Sequence, residues 1–384
     1  METEWQGTWS TSQQLTEPRN MPPEPGLNGN TLRQVVHVSL GGDRLRVRLS
    51  NEFGTEPVSI TAAQIAASDG GSAIKPDTDQ ALEFDGESAI TIPPGEAVLS
   101  DPFSFNLEPL SNVALTLHIS KISSDVTGHP GSRTTSYIQT GNHVSAPEMP
   151  DAAQTEHWYI IDAIDVMAPD SAAAVATLGN SITDGRGSGT NQQNRWPDEL
   201  ARRLQNNPHT QHVAVLNQGI GGNCVLRDCL GPAGLSRFQR DVLNQTGVSW
   251  LIILEGINDI GQAKGAKAAE QVAQDLINAY QKMINQAHSQ NIKVYGATLM
   301  PFGGSFYDGP EREQARQKVN EWIRNSGAFD AVIDLDKALR DPDNPSQLLP
   351  AADTGDHLHP NETGHRLIAE AVDLSLFIIE KENS

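Results

Sequence analysis

Five short apolar runs, Ala174–Leu178, Val213–Leu216, Trp250–Leu254, Val294–Leu299 and Ala331–Leu335, constrain the fold of this 384-residue chain more than any other feature. They are continuous rather than alternating, as strands buried on both faces should be. Helical spacing appears between and after them. Val272, Leu276, Tyr280, Met283 or Ile284, and Ala287 precede the fourth run, and Leu367, Ile368, Ala371, Val372 and Leu376 follow the fifth. Strand alternating with helix predicts a parallel sheet with helices on both faces.

The chain up to about residue 168 reads differently. His37–Leu40 and Arg44–Leu49 alternate apolar with polar around Gly41-Gly42-Asp43, which predicts a hairpin with one buried face. Further short strands are expected at Val58–Ile60, Ser88–Ile92 and Val113–Ile119, punctuated by Gly and Pro. Many short strands without helical periodicity predict a β-sandwich of jelly-roll type. At this length two domains are the expectation, residues 1–168 and 169–384, joined near Met167–Ala172.

Charge narrows the partners. Asp and Glu number 48 against 27 Lys and Arg, a net −21, which argues against nucleic acid as a partner, since phosphate binding needs a basic surface. No apolar run reaches membrane-spanning length, which argues against a membrane partner. Met1–Trp5 has neither a basic start nor an apolar stretch and is not read as a signal peptide. Cys224 and Cys229, the only cysteines, lie close enough for a local disulfide, two free thiols being the alternative. A disulfide implies an oxidising compartment. The expectation is therefore a secreted or periplasmic protein whose leader is absent from this sequence, with a cytoplasmic one as the alternative.

In an open parallel sheet, ligands bind beyond the carboxyl ends of the strands. Ser181 follows the first apolar run, Asn217–Asn223 the second, and Glu255–Asp259 the third, so these loops converge in space. A serine hydroxyl needs a base, and His359 in Asp356-His357-Leu358-His359 is the candidate. Asp356, three residues earlier, can hold the imidazole tautomer and stabilise the imidazolium. The backbone N–H groups of Ser181 and Gly222 and the side-chain amide of Asn258 suit a developing oxyanion. This chemistry calls for no cofactor and no metal.

Gly179-Asn180-Ser181-Ile182, Gly222, Gly256-Ile257-Asn258-Asp259 and Asp356-x-x-His359 together resemble the SGNH, or GDSL-type, hydrolases, in order and spacing over roughly residues 172–380. The resemblance implies a flavodoxin-like three-layer sheet and a serine esterase with Ser181, Asp356 and His359 as triad and Ser181, Gly222 and Asn258 as oxyanion hole. Asn180 stands where the family usually has aspartate, which bears on the loop's hydrogen bonding rather than on the triad. The whole chain also resembles secreted bacterial members with an N-terminal β-sandwich, including carbohydrate acetylesterases and arylesterase-like proteins. That resemblance implies short acyl groups, acetyl foremost, on small-molecule or carbohydrate esters. A non-catalytic carbohydrate-binding protein on a hydrolase scaffold is the alternative from another class. A lipase, thioesterase or lysophospholipase for longer chains is the alternative within the enzymes.

Other motifs have weaker standing. Gly185–Gly189 follows a strand but lacks both phosphate-loop patterns, and reads as a flexible loop beside the nucleophile. No Gly-x-Ser-x-Gly occurs, which argues against an α/β-hydrolase lipase. His357 and His365 could join Asp356 and His359 around a metal, but catalysis already accounts for the latter two and His365 fits a helix surface. Asp184 reads as a turn or capping group and Asp259 as a buried brace beside Asn258. Phe302, Phe306 and Tyr307 form either a wall of the acyl or alcohol pocket or a glycine-rich turn with packed aromatics. His129, Arg133 and Tyr137 are expected on a surface loop.

Overall fold

The computed structural model describes residues 3–378. Two compact units emerge, one formed by residues up to Ala172 with Thr190–Gln193, the other by Ala173–Gly189 and the chain from Asn194 onward.

The first unit is β-rich and antiparallel. One sheet runs Thr3–Ser10, Ile161–Pro169, Gly42–Ser50, Phe103–Leu107, with Ala97–Leu99 also on Gly42–Ser50. Another is centred on Ser136–Thr140, Asn30–His37, Asn112–Lys121 and Val58–Gly70. Period-two burial is clear in Gly42–Ser50, where Leu45, Val47 and Leu49 are buried and the intervening Arg44, Arg46 and Arg48 keep contact with solvent.

The expected hairpin around Gly41–Asp43 does not form. Asn30–His37 pairs with Asn112–Lys121 and Ser136–Thr140, whereas Gly42–Ser50 pairs with Ile161–Pro169, Phe103–Leu107 and Ala97–Leu99. Gly41 turns the corner between the sheets, and a Cβ there would lie 2.4 Å from the Leu107 carbonyl oxygen. Alternation reports a half-buried strand without naming its neighbour. His129 and Tyr137 are likewise not on a surface loop: both are buried in the short strands Thr127–His129 and Ser136–Thr140.

The second unit is built on a parallel sheet. Its strands are β1 (Ala173–Gly179), β2 (Val213–Gly219), β3 (Val248–Leu254), β4 (Lys293–Ala297) and β5 (Ala331–Ile333), in the order β2-β1-β3-β4-β5. All five apolar runs seed these strands, with one departure. β5 is an edge strand, and Val332 is 38% exposed rather than covered on both faces. Eight α-helices are described here: α1 (Ser181–Asp184), α2 (Trp196–Gln205), α3 (Gly234–Phe238), α4 (Ile257–Gly261), α5 (Ala266–His288), α6 (Pro310–Asn325), α7 (Leu335–Leu339) and α8 (Glu362–Glu370).

The core forms where the 3.6-residue stripe of α5 meets the sheet. Ala269, Ala273, Leu276, Tyr280, Met283, Ile284 and Ala287 pack with Leu178, Leu251, Ile253 and Val294. Each large side chain so buried contributes roughly 1.5–3 kcal/mol. At the C-terminal end, α8 stops at Glu370, so Leu376 lies outside it in a short 3-10 turn, Leu374–Phe377.

Register sets up the site. Gly179 at the end of β1 is level with Gly219 of β2 and Leu254 of β3. Because β1 lies between β2 and β3, the loops after all three strands leave the sheet side by side.

Candidate active site

Ser181 is the first residue of α1, immediately beyond β1. Asn180 caps this turn, its Oδ1 accepting the Ile182 N–H at 3.1 Å. An asparagine thus serves the capping need that an aspartate also meets. At the start of a helix, backbone N–H groups have no earlier helical carbonyl to receive them, so donors gather beside Ser181.

The Ser181 hydroxyl lies 2.9 Å from His359 Nε2, although 178 residues separate them. His359 Nδ1 lies 2.6 Å from Asp356 Oδ2, and Asp356 Oδ1 accepts the N–H of Leu358 at 3.0 Å and of His359 at 2.8 Å. With Nδ1–H donating to the carboxylate, Nε2 is the acceptor for the hydroxyl. Burial works against charge on Asp356, but the His359 N–H, the imidazole and the Leu358 N–H outweigh it. Together they hold this carboxyl well below the usual carboxylate range.

The loop after Ser181 is tethered, contrary to the flexible segment expected for Gly185–Gly189. The Gly185 and Arg186 N–H groups donate to the Ser181 carbonyl, and His365 Nε2 lies 3.0 Å from the Arg186 carbonyl. His365 is not on a helix surface. It is fully buried, and its Nδ1 accepts the Trp196 N–H at 3.1 Å. That bond leaves Nε2–H to hold Arg186. Among the described residues, no group of three or more His, Cys, Asp or Glu side chains is arranged to hold a metal.

Gly222 follows β2 at φ +71°, and Leu230 crowds the place a side chain would take, with its Cδ1 2.7 Å from an added Cβ. Glycine answers both constraints. Cys224 and Cys229 form a disulfide within this loop. Asp259, on α4, braces it from behind, accepting the Val225 N–H at 2.9 Å and the Leu226 N–H at 3.0 Å. Burial raises the Asp259 carboxyl, against the pull of those two donors.

Asn258 is 5% exposed and held at both ends. Its Nδ2 donates to the Asn223 carbonyl at 2.7 Å, and its Oδ1 accepts the Tyr307 hydroxyl at 2.9 Å. Phe306 is 70% exposed and lies against the Tyr307 ring. Of the two alternatives for the three aromatics, Phe302 does not fit the pocket wall: it is fully buried in the hydrophobic core and presents no surface to a substrate.

Arg237 carries no motif and escapes sequence reasoning, and Glu255 lies in a loop named from the sequence but without a role. Arg237, on α3 and 2% exposed, donates to the Gly179 carbonyl at 3.0 Å, the Gln218 carbonyl at 2.7 Å and Asn223 Oδ1 at 3.0 Å. One guanidinium thereby ties the ends of β1 and β2 to the loop after Gly222. An ion pair with Asp241 at 3.0 Å balances its charge. Glu255 directly follows β3, is fully buried, and has no hydrogen-bond partner for either carboxyl oxygen among the described residues. Burial pushes its carboxyl well above the usual range, with Arg237 lowering it and Asp259 raising it.

Residues 177–367 match the family described as GDSL-like Lipase/Acylhydrolase. The chain carries a domain of this family and is thereby a carboxylic ester hydrolase of SGNH fold with an N-terminal β-rich region. Solved structures similar to it include a member of the lipolytic protein G-D-S-L family from Veillonella parvula DSM 2008. That pair shares 21% identity, covers 52% of this chain and 96% of the other, and has a TM-score of 0.40. A catalytic mutant of an acetylxylan esterase from Geobacillus stearothermophilus gives 20%, 52%, 91% and 0.39 in the same order. A lipase/acylhydrolase from Enterococcus faecalis gives 19%, 52%, 92% and 0.39. No curated protein matches the chain. No described helix is long and apolar enough to cross a membrane.

Proposed function

We propose that this protein is a serine esterase that removes short acyl groups, acetyl foremost, through an acyl-enzyme, with acetylated carbohydrates as the natural substrate class. The carrying observation is the unbroken relay from Ser181 Oγ to His359 at 2.9 Å and from His359 to Asp356 at 2.6 Å. In this reading Ser181 Oγ attacks the acyl carbon while its proton passes to His359 Nε2. Negative charge gathers on the former carbonyl oxygen, facing the N–H groups of Ser181 and Gly222 and the Asn258 amide. Asp356 stabilises the imidazolium. The C–O bond to the alcohol then breaks, and the leaving oxygen takes the proton from His359. Water repeats the sequence, regenerating Ser181 and releasing the acid.

The reading extends to the architecture. The parallel sheet is taken as the flavodoxin-like three-layer type, residues 1–168 as a jelly-roll-like β-sandwich accessory domain and 169–384 as the hydrolytic domain. The Cys224–Cys229 disulfide supports a secreted or periplasmic setting. Phe306 stands at the mouth of the site in this reading, where acyl or alcohol enters, packed against the Tyr307 ring.

The test is hydrolysis of a chromogenic acetate ester, beside acetylated xylan, by the chain and by Ser181→Ala. The variant is expected to keep its melting temperature and lose turnover. Retained hydrolysis in Ser181→Ala would remove the serine from its role. An acyl-length series tests the acetyl preference, since each unaccommodated methylene costs roughly 1–3 kcal/mol. Rates that rise toward long chains would point to a lipase instead, and glycan binding without ester hydrolysis to a binding protein.

A further inference from the structure

An oxyanion donor supplied by an asparagine has a problem that a backbone N–H does not. The carboxamide has an acceptor end and a donor end of nearly equal shape, and a half-turn about the last side-chain bond exchanges them. With oxygen facing the reacting carbonyl, the same residue would repel the charge it should stabilise. Something must therefore specify which end of the Asn258 amide faces the site.

Two contacts do so. The Asn223 carbonyl can only accept, and it lies 2.7 Å from Asn258 Nδ2. The Tyr307 hydroxyl lies 2.9 Å from Asn258 Oδ1 and donates to it. Rotation of the amide would set its oxygen against the Asn223 carbonyl and lose the bond from Tyr307. In the observed orientation Nδ2 spends one hydrogen on Asn223 and keeps the second.

The ring that brings this hydroxyl into place is itself fixed. Gly261, at the end of α4, leaves room for it: a Cβ there would sit 2.3–2.4 Å from the Tyr307 ring carbons. Arg312 of α6 donates to the Tyr307 carbonyl at 3.3 Å and to the Ala263 carbonyl just beyond α4 at 3.0 Å. The Tyr307 N–H is taken by Ser305 Oγ at 3.1 Å. The loop after β4 is thus fastened to the helix that carries Asn258, with the phenol aimed at the amide.

From this juxtaposition we propose that Tyr307 is a positioning residue of the oxyanion hole, orienting the Asn258 amide through its hydroxyl rather than binding substrate. The inference rests on the esterase reading above and deepens it.

Steady-state kinetics on a short chromogenic ester test it, using the full chain, Tyr307→Phe, Asn258→Ala and the double variant. Phenylalanine keeps the ring over Gly261, so melting temperatures should agree. Tyr307→Phe should lower kcat about tenfold, the scale of one lost orienting hydrogen bond, with KM within about twofold. Asn258→Ala should lower kcat about 10²–10³-fold. Adding Tyr307→Phe to Asn258→Ala should then change nothing further, because no amide remains to orient. Equal losses in both backgrounds, or a rise confined to KM, would overturn the positioning role. An unaltered kcat in Tyr307→Phe beside a damaged Asn258→Ala would overturn it while leaving the oxyanion assignment intact. An unaffected Asn258→Ala would remove the oxyanion assignment and the role of Tyr307 with it.

Discussion

Two aspartate–histidine pairs lie in one short segment, Asp353 with His357 and Asp356 with His359, and they are built alike. In each, imidazole Nδ1 lies 2.6 Å from a carboxylate oxygen. In each, the other carboxylate oxygen accepts two backbone N–H groups, from Gly355 and His357 in the first pair and from Leu358 and His359 in the second. Their burial is opposite. The His357 side chain is 46% exposed over an acid that is 7% exposed, whereas the His359 side chain is 5% exposed beside an acid that is 35% exposed. Only His359 presents Nε2 to Ser181. A carboxylate that orients an imidazole is therefore no mark of catalysis by itself. What the far nitrogen faces decides, and a dry setting strengthens each charge–dipole interaction there.

The strongest way to break this contrast is to remove each imidazole in turn. His359→Gln should lower kcat on a short acetate ester by about 10⁴-fold or more, as loss of a triad base does. His357→Gln, a change on an exposed side chain, should stay within about threefold. Comparable losses in the two variants would mean that the pairs act together, and the proposed triad would need a fourth member.

His359 stands out in the sequence by its spacing from Asp356 and by the family resemblance, and what is legible there and what is not have physical reasons. Strands buried on both faces show as unbroken apolar runs, so the parallel sheet was legible, and loops after such strands converge whatever their content. Partners brought by packing leave no such trace. Arg237 reaches Gly179, Gln218 and Asn223 from a five-residue helix whose sequence announces nothing. Phe302 and Phe306 sit in one loop with the same side chain, yet one is core and the other solvent-facing, because loops lack the periodicity that separates inside from outside. Antiparallel pairing in the first unit was misread at Gly41–Asp43 for a related reason: alternation specifies a face, not a neighbour.

Removing the acids sharpens the contrast at a smaller scale. Asp356→Ala should lower kcat about 10³–10⁴-fold, since the imidazole loses its tautomer and its counter-charge. Asp353→Ala should leave kcat within about threefold. It should instead cost about 1–3 kcal/mol in chemical denaturation, because a mostly buried carboxylate accepting the Gly355 and His357 N–H groups is gone. A fall in kcat with unchanged stability would make the outer pair functional and reverse the assignment.

The smallest effect distinguishes Asp356 through stability rather than rate. Its carboxyl is held well below the usual range in the folded protein, despite burial, by the His359 and Leu358 N–H groups and the imidazole. In the unfolded chain an aspartate takes up its proton near pH 3.9. As pH falls through that value the unfolded state gains a proton that the folded state still refuses, so unfolding is favoured. The stability this aspartate contributes is full above the unfolded value and disappears as pH falls through the folded one. Urea unfolding from pH 6 down to pH 3 should therefore show a shallower loss of stability in Asp356→Asn than in the unmodified chain. Because the side chain is about a third exposed, solvent screens part of the effect and the difference in slope should be modest. Identical slopes would mean that the carboxylate is not held by these donors, and the contrast between the two pairs would then rest on Ser181 alone.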